Sequence, residues 1–432
     1  MAQNGMEDYN RQFSEQQSYD MHEISNPNKP QKPKSRFGIG FMVGIAVGIV
    51  IAFAGFVVYG LISYKQLLDV QSGQTQYSYD SYEDKIDNIL QYLAAYYNGE
   101  IDEQAVEDSI ASGVLNGIGD KYAKYYTKEE FQRMMEDSSG EYSGVGISVV
   151  LEDNGQIVVY KVFPGTPAEA AGVHAMDVIV AADGVRDFED LDALVAIVRG
   201  EEGTTVDITF SRDGEEYQTT LERKTIITPS VEIQMLDNNI GYLAISSFDK
   251  ATVSQFNDAL KALEDQGMEA LIIDVRDNPG GDYDAVVAMA DRVLPAGTII
   301  TTRNKEGIVR EETSDEEHQV TVPMAVLINA NTASASELFS GAIQDYHLGY
   351  IVGETSYGKG VVQSIFRLND GSGMKFTTEK YYTPSGRCVD GEGVIPDYAV
   401  EIPMEAYEDG IITEEEDLQL QKAIELLSGT QE

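Results

Sequence analysis

The chain has 432 residues, enough for two to four domains of ordinary size. Its 30 Lys and Arg against 73 Asp and Glu give a formal net charge of −43, which argues against nucleic acid as the main partner because phosphate contacts need a basic surface. The 42% of hydrophobic and 24% of charged residues are typical of a globular protein. Cys388 is the only cysteine, which excludes an internal disulfide and cysteine-cluster metal sites.

The N-terminal part predicts a membrane anchor. Residues 1–36 are rich in Gln, Asn, Ser and Pro and are predicted to be a disordered tail. Residues 37–64 carry no charged side chain and exceed the roughly 20 residues that a transmembrane helix needs. Basic residues precede this run, so the positive-inside rule predicts a cytoplasmic N-terminus and an extracytoplasmic remainder at the cell membrane. A cleaved signal peptide is the alternative, but the apolar run is too long and no clear cleavage site follows.

The following stretches differ in hydrophobic period. Residues 65–139 place apolar side chains at helical spacing, and Thr127 with Glu130 forms a capping box, so a helical N-terminal segment is predicted. Residues 140–224 change to the pattern of strands, with one internal helix. This pattern predicts a compact β-rich module inserted into the chain.

Strands and helices alternate in residues 225–400, which predicts an α/β domain. Two loops in it, 277–281 and 331–337, each follow a buried strand and precede a helix. Open α/β sheets place their ligands at such strand ends. Residues 401–432 end in apolar residues at helical spacing and are predicted to form a helical segment that packs on the body.

The β-rich module resembles a PDZ domain. The residues that carry the resemblance are Gly144-Val145-Gly146-Ile147, Pro164-Gly165-Thr166-Pro167-Ala168, Ala171-Gly172-Val173, Asp177-Val178-Ile179 and Asp183-Gly184. In PDZ domains the glycine-containing loop binds a peptide's C-terminal carboxylate through backbone N–H groups, while the peptide adds a strand to the sheet. The resemblance implies that Gly144, Val145, Gly146 and Ile147 bind the peptide. Met176 stands where related modules often have glycine, so the ligand preference stays open.

The chain from about residue 85 to its end resembles the carboxyl-terminal processing peptidases, also called tail-specific proteases. The motifs that carry the resemblance are Asp277-Asn278-Pro279-Gly280-Gly281, Asn331-Thr332-Ala333-Ser334-Ala335-Ser336-Glu337 and Tyr357-Gly358-Lys359-Gly360, followed by Gln363. The resemblance implies that Ser334 is the nucleophile, Lys359 the general base and Gln363 the residue that orients the lysine. Relatives of this kind often form homodimers.

The residue types suit that chemistry. A serine hydroxyl is a weak nucleophile that needs an adjacent base, and a lysine can act as one only when desolvation lowers its pKa. Backbone N–H groups of Gly280 and Ala335 are expected to stabilise the oxyanion. Asp345 is a candidate supporting residue outside the dyad, with an ordinary surface position as the alternative.

Each candidate also has a purely structural interpretation. Ser334 and Glu337 form a capping box, and Ser336 offers a second hydroxyl nearby. Taken alone, Lys359 would be a solvated loop lysine and Gln363 an exposed strand residue.

Other chemistries find less support in the sequence. A Ser/His/Asp triad is disfavoured because none of the ectodomain histidines has a convincing base context: His174, His318 and His347. No phosphate loop, zinc motif or carboxylate cluster at metal spacing is found, so no cofactor is implied.

The sequence therefore predicts a membrane-anchored, extracytoplasmic serine endopeptidase with a PDZ domain. It would cleave protein or peptide substrates near apolar C-terminal tails, with the tail held by the PDZ domain. By resemblance, the PDZ domain can also gate the active site. The alternative is a catalytically inactive, peptide-binding membrane scaffold.

Overall fold

The computed structural model describes residues 81–152, 154–315, 317, 319–403 and 412–429. The predicted tail, the predicted transmembrane helix at 37–64 and residues 65–80 lie outside these ranges. Within them, no helix is both long enough and apolar enough to cross a membrane. The described residues fall into two units, divided between Glu100 and Ile101. Helix α1 (Tyr82–Tyr96) belongs to the first and begins at Ser81, whose side chain accepts a hydrogen bond from the Asp84 N–H.

The second unit begins with a segment that is only partly helical. Its elements are α2 (Glu103–Gly117), β1 (Lys124–Tyr126) and α3 (Lys128–Ser139). The predicted capping box of Thr127 and Glu130 is present at the start of α3. The strand β1 corrects the prediction of an all-helical segment. Its buried Tyr125 and Tyr126 lie in an antiparallel pairing with Gly373 and Met374 of a distant strand.

The β-rich module has a core of its own. Its elements are β2 (Glu141–Gly144), β3 (Ile147–Leu151), β4 (Ile157–Val162), α4 (Pro167–Ala170), β5 (Val178–Ala182), α5 (Leu191–Val198), β6 (Thr205–Arg212), β7 (Glu215–Glu222) and β8 (Lys224–Ile227). Strands β3 to β7 form an antiparallel sheet in sequence order, while β2 pairs with β8 as a separate ribbon. Leu194 and Val198 of α5 pack on this sheet because they lie four residues apart on one helix face.

A six-stranded sheet forms the centre of the α/β domain. Its strands are β9 (Val231–Leu236), β10 (Ile240–Ile245), β11 (Ala270–Asp274), β14 (Met324–Ile328), β15 (Gly349–Gly353) and β18 (Tyr398–Ala399), in the order β18-β15-β14-β11-β10-β9. Only β9 runs antiparallel to its neighbour.

Helices cover both faces of this sheet. They are α6 (Thr252–Asp265), α7 (Tyr283–Asp291), α8 (Ala335–Asp345) and α9 (Leu418–Ser428). Alternate residues of β11 point to opposite faces: Leu271 and Ile273 join the cluster with α6 to α8, while Ala270 and Ile272 join the cluster with α9. Strand β11 is therefore buried on both faces of the sheet, as predicted for the strand that precedes the loop 277–281.

A second sheet was not predicted. Its strands are β12 (Gly297–Asn304), β13 (Val309–Ser314), β16 (Val361–Arg367) and β17 (Gly373–Tyr382), together with β1. Gly373 pairs with Tyr126 on one side and with Arg367 on the other, so β17 lies between β1 and β16. The β16 register shifts between Val362 and Gln363, as expected for a β-bulge, which changes the direction of nearby side chains.

Candidate active site

The predicted nucleophile lies where β14 leads into α8. Strands β11 and β14 are parallel neighbours, so the loops that follow them leave the same edge of the sheet. Ser334 is the residue before the first turn of α8 and has φ 56° and ψ −114°, which is unfavourable for a residue with a side chain. Its carbonyl oxygen accepts the helix N–H groups of Glu337 and Leu338, both at 2.9 Å, and the Tyr381 hydroxyl at 3.0 Å. The backbone carbonyl can thus satisfy these groups without the Ser334 hydroxyl.

One cavity of about 510 Å³ brings the predicted catalytic residues together. Its lining includes Ser334, Ala335, Gly280, Lys359 and Gln363. Apolar side chains complete much of the wall: Met134, Val286, Leu338, Val361, Val362 and Ile365. These apolar side chains limit the contact of water with the polar groups in the cavity, including Ser334 and Lys359.

The environment of Lys359 favours its neutral form. Burial lowers the pKa of the Lys359 amine below its usual range, and the positive charges of Lys375 and Lys121 lower it further, against the opposing charges of Glu337 and Asp120. A side chain at Gly360 would place its Cβ 2.3 Å from the Asp390 N atom. Glycine at this position therefore allows the lysine loop to pack directly against neighbouring backbone.

Gln363 makes a different contact from the one predicted. Its side-chain amide donates a hydrogen bond of 2.7 Å to the backbone carbonyl of Tyr122, in the turn between α2 and β1. The Tyr122 ring in turn lies 4.8 Å from the Lys359 Nζ atom, measured to the ring centroid. Gln363 thus holds the backbone of the residue that covers the lysine.

Glu337 connects the loop that holds Ser334 to the loop that holds Lys359. Its fully buried carboxylate accepts the backbone N–H groups of Ser334 at 2.8 Å, Gly358 at 2.6 Å and Lys359 at 2.8 Å, and the Ser356 hydroxyl at 2.6 Å. Sequence reasoning recognised Glu337 only as a helix cap. The capping position fixed where its backbone lies, but its contacts 19 to 22 residues away depend on the fold.

The loop that holds Gly280 lies in close contact with the loop that holds Ser334. With φ 100°, Gly280 leaves no room for a Cβ atom, which would lie 2.8 Å from both the Ala333 carbonyl oxygen and the Ala335 N atom. Its own N–H donates 2.9 Å to Asn278 Oδ1, however, and so is engaged within its loop. The Ala335 N–H is in the first turn of α8, where helix N–H groups have no intrahelical acceptor.

Hydrogen bonds fasten these two loops to each other. The Ala333 N–H donates 3.0 Å to the Asn278 carbonyl oxygen. The side-chain amides of Asn329 and Asn331 donate to Asp277 Oδ1 at 2.9 and 2.8 Å. These contacts link the loop that follows β11 to the loop that follows β14.

Two other candidates lie apart from this chemistry. Asp345 is at the opposite end of α8, where it accepts the Ser385 N–H at 2.9 Å and pairs with Arg387 at 3.3 Å. Ser336 is fully buried and donates 3.0 Å to the Asn278 carbonyl oxygen. Asp345 therefore holds the loop after β17, and Ser336 holds the Gly280 loop.

The described histidines lie outside the Ser334 cavity. His174 lies in the β-rich module and His347 follows α8, and neither lines the Ser334 cavity. His318 lies outside the described ranges. Within those ranges there is no group of three or more His, Cys, Asp or Glu side chains arranged to hold a metal ion.

A second cavity, of about 410 Å³, lies between β3 and α5. Val145, Gly146 and Ile147 line it, while Gly144 ends β2 and pairs with Lys224. Gly146 has φ 85°, and a Cβ there would lie 2.3 Å from the Thr166 Cβ, so this loop requires glycine. The groove between a sheet edge and a helix suits an added peptide strand.

Among the residues that the structure describes, Arg199 is the only cation that lines this groove. Its guanidinium lies 3.6 Å from Glu136 and 3.5 Å from Asp137, and 4.6 Å from the centroid of the Tyr142 ring. Sequence reasoning missed this residue because an arginine after a helix is usually a surface residue.

The two cavities adjoin each other. Asp137, Ser247 and Asp249 line both. Burial raises the pKa of the Asp249 carboxyl, and the charges of Asp137 and Asp282 add to this shift while the Ser247 hydroxyl opposes it. Asp137 and Asp249 thus place acidic side chains where the groove meets the Ser334 cavity.

Comparison with family models identifies two regions of the chain. Residues 239–400 match the model of peptidase family S41, and residues 143–222 match that of the PDZ domain. The first range contains both loops of the Ser334 cavity, and the second contains most of the groove lining.

Several proteins similar to this chain are named as carboxyl-terminal processing proteases. The chain is 34% identical to a carboxyl-terminal-processing protease of Synechocystis sp., over 77% of this chain and 78% of the relative. It is 31% identical to the carboxy-terminal processing protease CtpA of Bacillus subtilis, over 75% and 70% of the two chains. Among solved structures it is similar to a photosystem II D1 C-terminal processing protease, with 27% identity, a TM-score of 0.44 and coverage of 74% and 88%.

Proposed function

The chain belongs to the carboxyl-terminal processing serine proteases of peptidase family S41, and on that premise we propose that Ser334 and Lys359 form its catalytic dyad. The observation that carries the proposal is their shared cavity, in which the lysine is half-buried with a lowered pKa and the serine precedes the first turn of a buried helix. The substrates would be proteins or peptides with apolar C-terminal tails.

The reaction would proceed through an acyl-enzyme. The Ser334 hydroxyl oxygen attacks the scissile carbonyl carbon as its proton passes to the neutral Lys359 amine. The tetrahedral intermediate then expels the amine of the leaving fragment, which takes the proton from the Lys359 ammonium. Water attacks the remaining ester, again losing a proton to Lys359, and Ser334 recovers its proton as the new carboxyl terminus leaves.

The oxyanion would be stabilised by the Ala335 N–H and by the positive end of the α8 dipole. The Gly280 N–H would contribute if its hydrogen bond to Asn278 Oδ1 were exchanged for one to the oxyanion. Gln363 would orient the base through Tyr122, which it holds by the carbonyl oxygen.

Tail recognition would take place in the groove between β3 and α5. A peptide strand would pair with the free edge of β3, and its carboxylate would meet the Gly144–Ile147 loop. The proximity of this groove to the catalytic cavity supports capture of the tail and cleavage in one substrate chain.

The enzyme would work at the outer face of the cell membrane. The apolar run at 37–64, the basic residues before it and the acidic remainder support a single anchor with a cytoplasmic N-terminus. A homodimer is proposed only on the resemblance to relatives. Labelling of introduced cysteines by an impermeant reagent on intact cells tests the topology: labelling of residue 20 but not residue 300 would contradict it.

Full-length protein in detergent micelles tests the dyad. An unfolded protein with an apolar free C-terminus is incubated with wild type, Ser334→Ala and Lys359→Ala, beside the same substrate with an amidated C-terminus. We expect cleavage by wild type alone, at a lower rate on the amidated substrate. Full activity of Ser334→Ala would rule out the assignment, whereas tail binding without hydrolysis by wild type would favour the inactive scaffold.

The pH dependence of kcat/KM tests the base. Only the neutral amine accepts a proton, so the rate should fall about tenfold for each pH unit below the pKa of Lys359. Because burial lowers that pKa, half of the maximal rate should be reached below the usual lysine value of 10.5. A profile that is flat from pH 5 to 9 would contradict a lysine base.

A further inference from the structure

The turn before β1 lies directly on the catalytic cavity. Residues 118–123 belong to neither range that matches a family model, and they separate α2 from β1. This turn nevertheless places the Tyr122 ring 4.8 Å from the Lys359 Nζ atom. The N-terminal segment therefore contributes a side chain beside the residue proposed as base.

We infer that Tyr122 is a positioning residue for the reaction: its ring covers the Lys359 amine and its backbone carbonyl holds Gln363. The inference rests on the proposed role of Lys359. It assigns to the segment before the PDZ domain a part in catalysis, in addition to any role as a connection to the membrane.

Four contacts fix the turn in this position. The Gln363 side chain donates 2.7 Å to the Tyr122 carbonyl oxygen. Asp120 accepts the Tyr122 N–H at 3.0 Å and, through its other oxygen, the Thr377 N–H of β17 at 2.7 Å. The adjoining strand β1 pairs with Gly373 to Lys375 of the same β17. The turn is therefore held from both strands that border it, β16 and β17.

The ring has two opposing effects on the lysine. An aromatic face attracts a cation, which favours the charged amine, whereas covering the amine removes water, which favours the neutral amine. The charged groups that face the amine from the surrounding elements are Lys375, Glu337, Asp120 and Lys121. Burial is the largest influence among them, so removal of the ring should admit water and favour the charged form.

The test compares Tyr122→Ala with Tyr122→Phe in the full-length protein, using kcat/KM on the tailed substrate from pH 5 to 10. The phenylalanine keeps the ring, and both variants keep the backbone carbonyl. We expect Tyr122→Phe to stay within about twofold of wild type at every pH. Tyr122→Ala should lose about tenfold or more near pH 7 and recover most of the rate near pH 10, because each unit of pKa change alters the neutral fraction about tenfold.

A merely structural role would give a different result. It would lower the rate of Tyr122→Ala by the same factor at every pH, and that outcome would overturn the inference. The rate at which a fluorophosphonate labels Ser334, measured over the same pH range, should show the same shift. If Tyr122→Ala loses its cooperative thermal unfolding, Tyr122→Gln replaces it, because its polar side chain fills part of the space without an apolar cover. An unshifted profile of that variant would equally overturn the inference.

The outcome for Tyr122 is separable from the outcome for the dyad. If Lys359→Ala keeps normal activity, the proposed base is wrong whatever Tyr122→Ala does. If Lys359→Ala is inactive and the profile of Tyr122→Ala matches that of wild type, the dyad stands and only the role of Tyr122 is refuted.

Discussion

The peptide groove and the catalytic cavity differ in how much of the chain each one needs. Most of the groove lining comes from residues 137–199, within or beside a module with its own core. The cavity draws instead on six separate stretches: 134–138, 247–249, 279–286, 334–338, 359–365 and 375–381. A local site tolerates change elsewhere, whereas a site assembled over long sequence distances depends on the contacts that bring its parts together.

The largest effect is expected where those contacts converge. Glu337→Gln keeps the side-chain shape but places an amide N–H₂ among four hydrogen-bond donors, so at least one of them loses its acceptor. We expect a loss of about 3 kcal/mol in unfolding free energy and about a hundredfold in kcat, because small displacements of reacting groups are costly. Thermal unfolding measures the loss of stability, and steady-state kinetics measure the loss of kcat. The affinity for the substrate tail should stay unchanged. Near-normal kcat would show that the two loops align without Glu337.

A smaller effect is expected from the close packing of the Gly280 loop. Gly280→Ala adds a Cβ 2.8 Å from the Ala333 oxygen and the Ala335 N atom at a positive φ, so the loops must separate. We expect kcat to fall about thirtyfold and stability by about 2 kcal/mol. Gly267→Ala also has a positive φ but an open surrounding, and it serves as the control for backbone strain alone. Equal kcat values for the two variants would contradict this account.

A substitution in the peptide groove should change peptide affinity rather than the rate of cleavage. Arg199→Gln removes the cation that lines the groove in the described part of the chain, so a peptide with a free C-terminal carboxylate should bind about tenfold more weakly. An amidated peptide should bind equally to both proteins. Fluorescence anisotropy with each peptide measures the difference, and a loss shared by the amidated peptide would point to a distorted groove.

The smallest effect is expected far from both sites. Asp345→Asn weakens the pairing with Arg387 but keeps an oxygen for the Ser385 N–H. Stability should fall by about 1 kcal/mol, and kcat/KM should stay within about twofold of wild type. A loss of activity at unchanged stability would return Asp345 to the supporting role that the sequence suggested.

The difference between local and long-range contacts also explains which features could be predicted from the sequence. The groove loop and the two strand-end loops were predicted because each depends on adjacent residues: glycines in a turn, or a buried strand followed by a helix start. The sheet of β12, β13, β16 and β17 was missed because its strands mix polar and apolar residues on half-buried faces, as in Lys375 to Lys380. Its pairing with β1 joins residues almost 250 positions apart, as between Tyr125 and Met374, and no local pattern records it.

The contacts of site residues show the same limit. Gln363 was identified, but its actual partner, the Tyr122 carbonyl, carries no side-chain signal that a sequence displays. Gly280 was predicted to contribute an N–H to the oxyanion site, and in the structure that N–H donates to Asn278 while the missing side chain allows close contact with the Ser334 loop. Residue identity indicated which groups belong together, and the fold decided which atoms face each other.

The backbone of Ser334 has a consequence for the descent of such proteins. A residue with a side chain at φ 56° and ψ −114° destabilises the native state by about 1–3 kcal/mol. Glycine would relieve most of that cost at the expense of the hydroxyl. On the proposed role of Ser334, selection for peptide cleavage would retain serine against this gradient. A copy of the gene released from that selection would gain folding stability by drifting to glycine at this position.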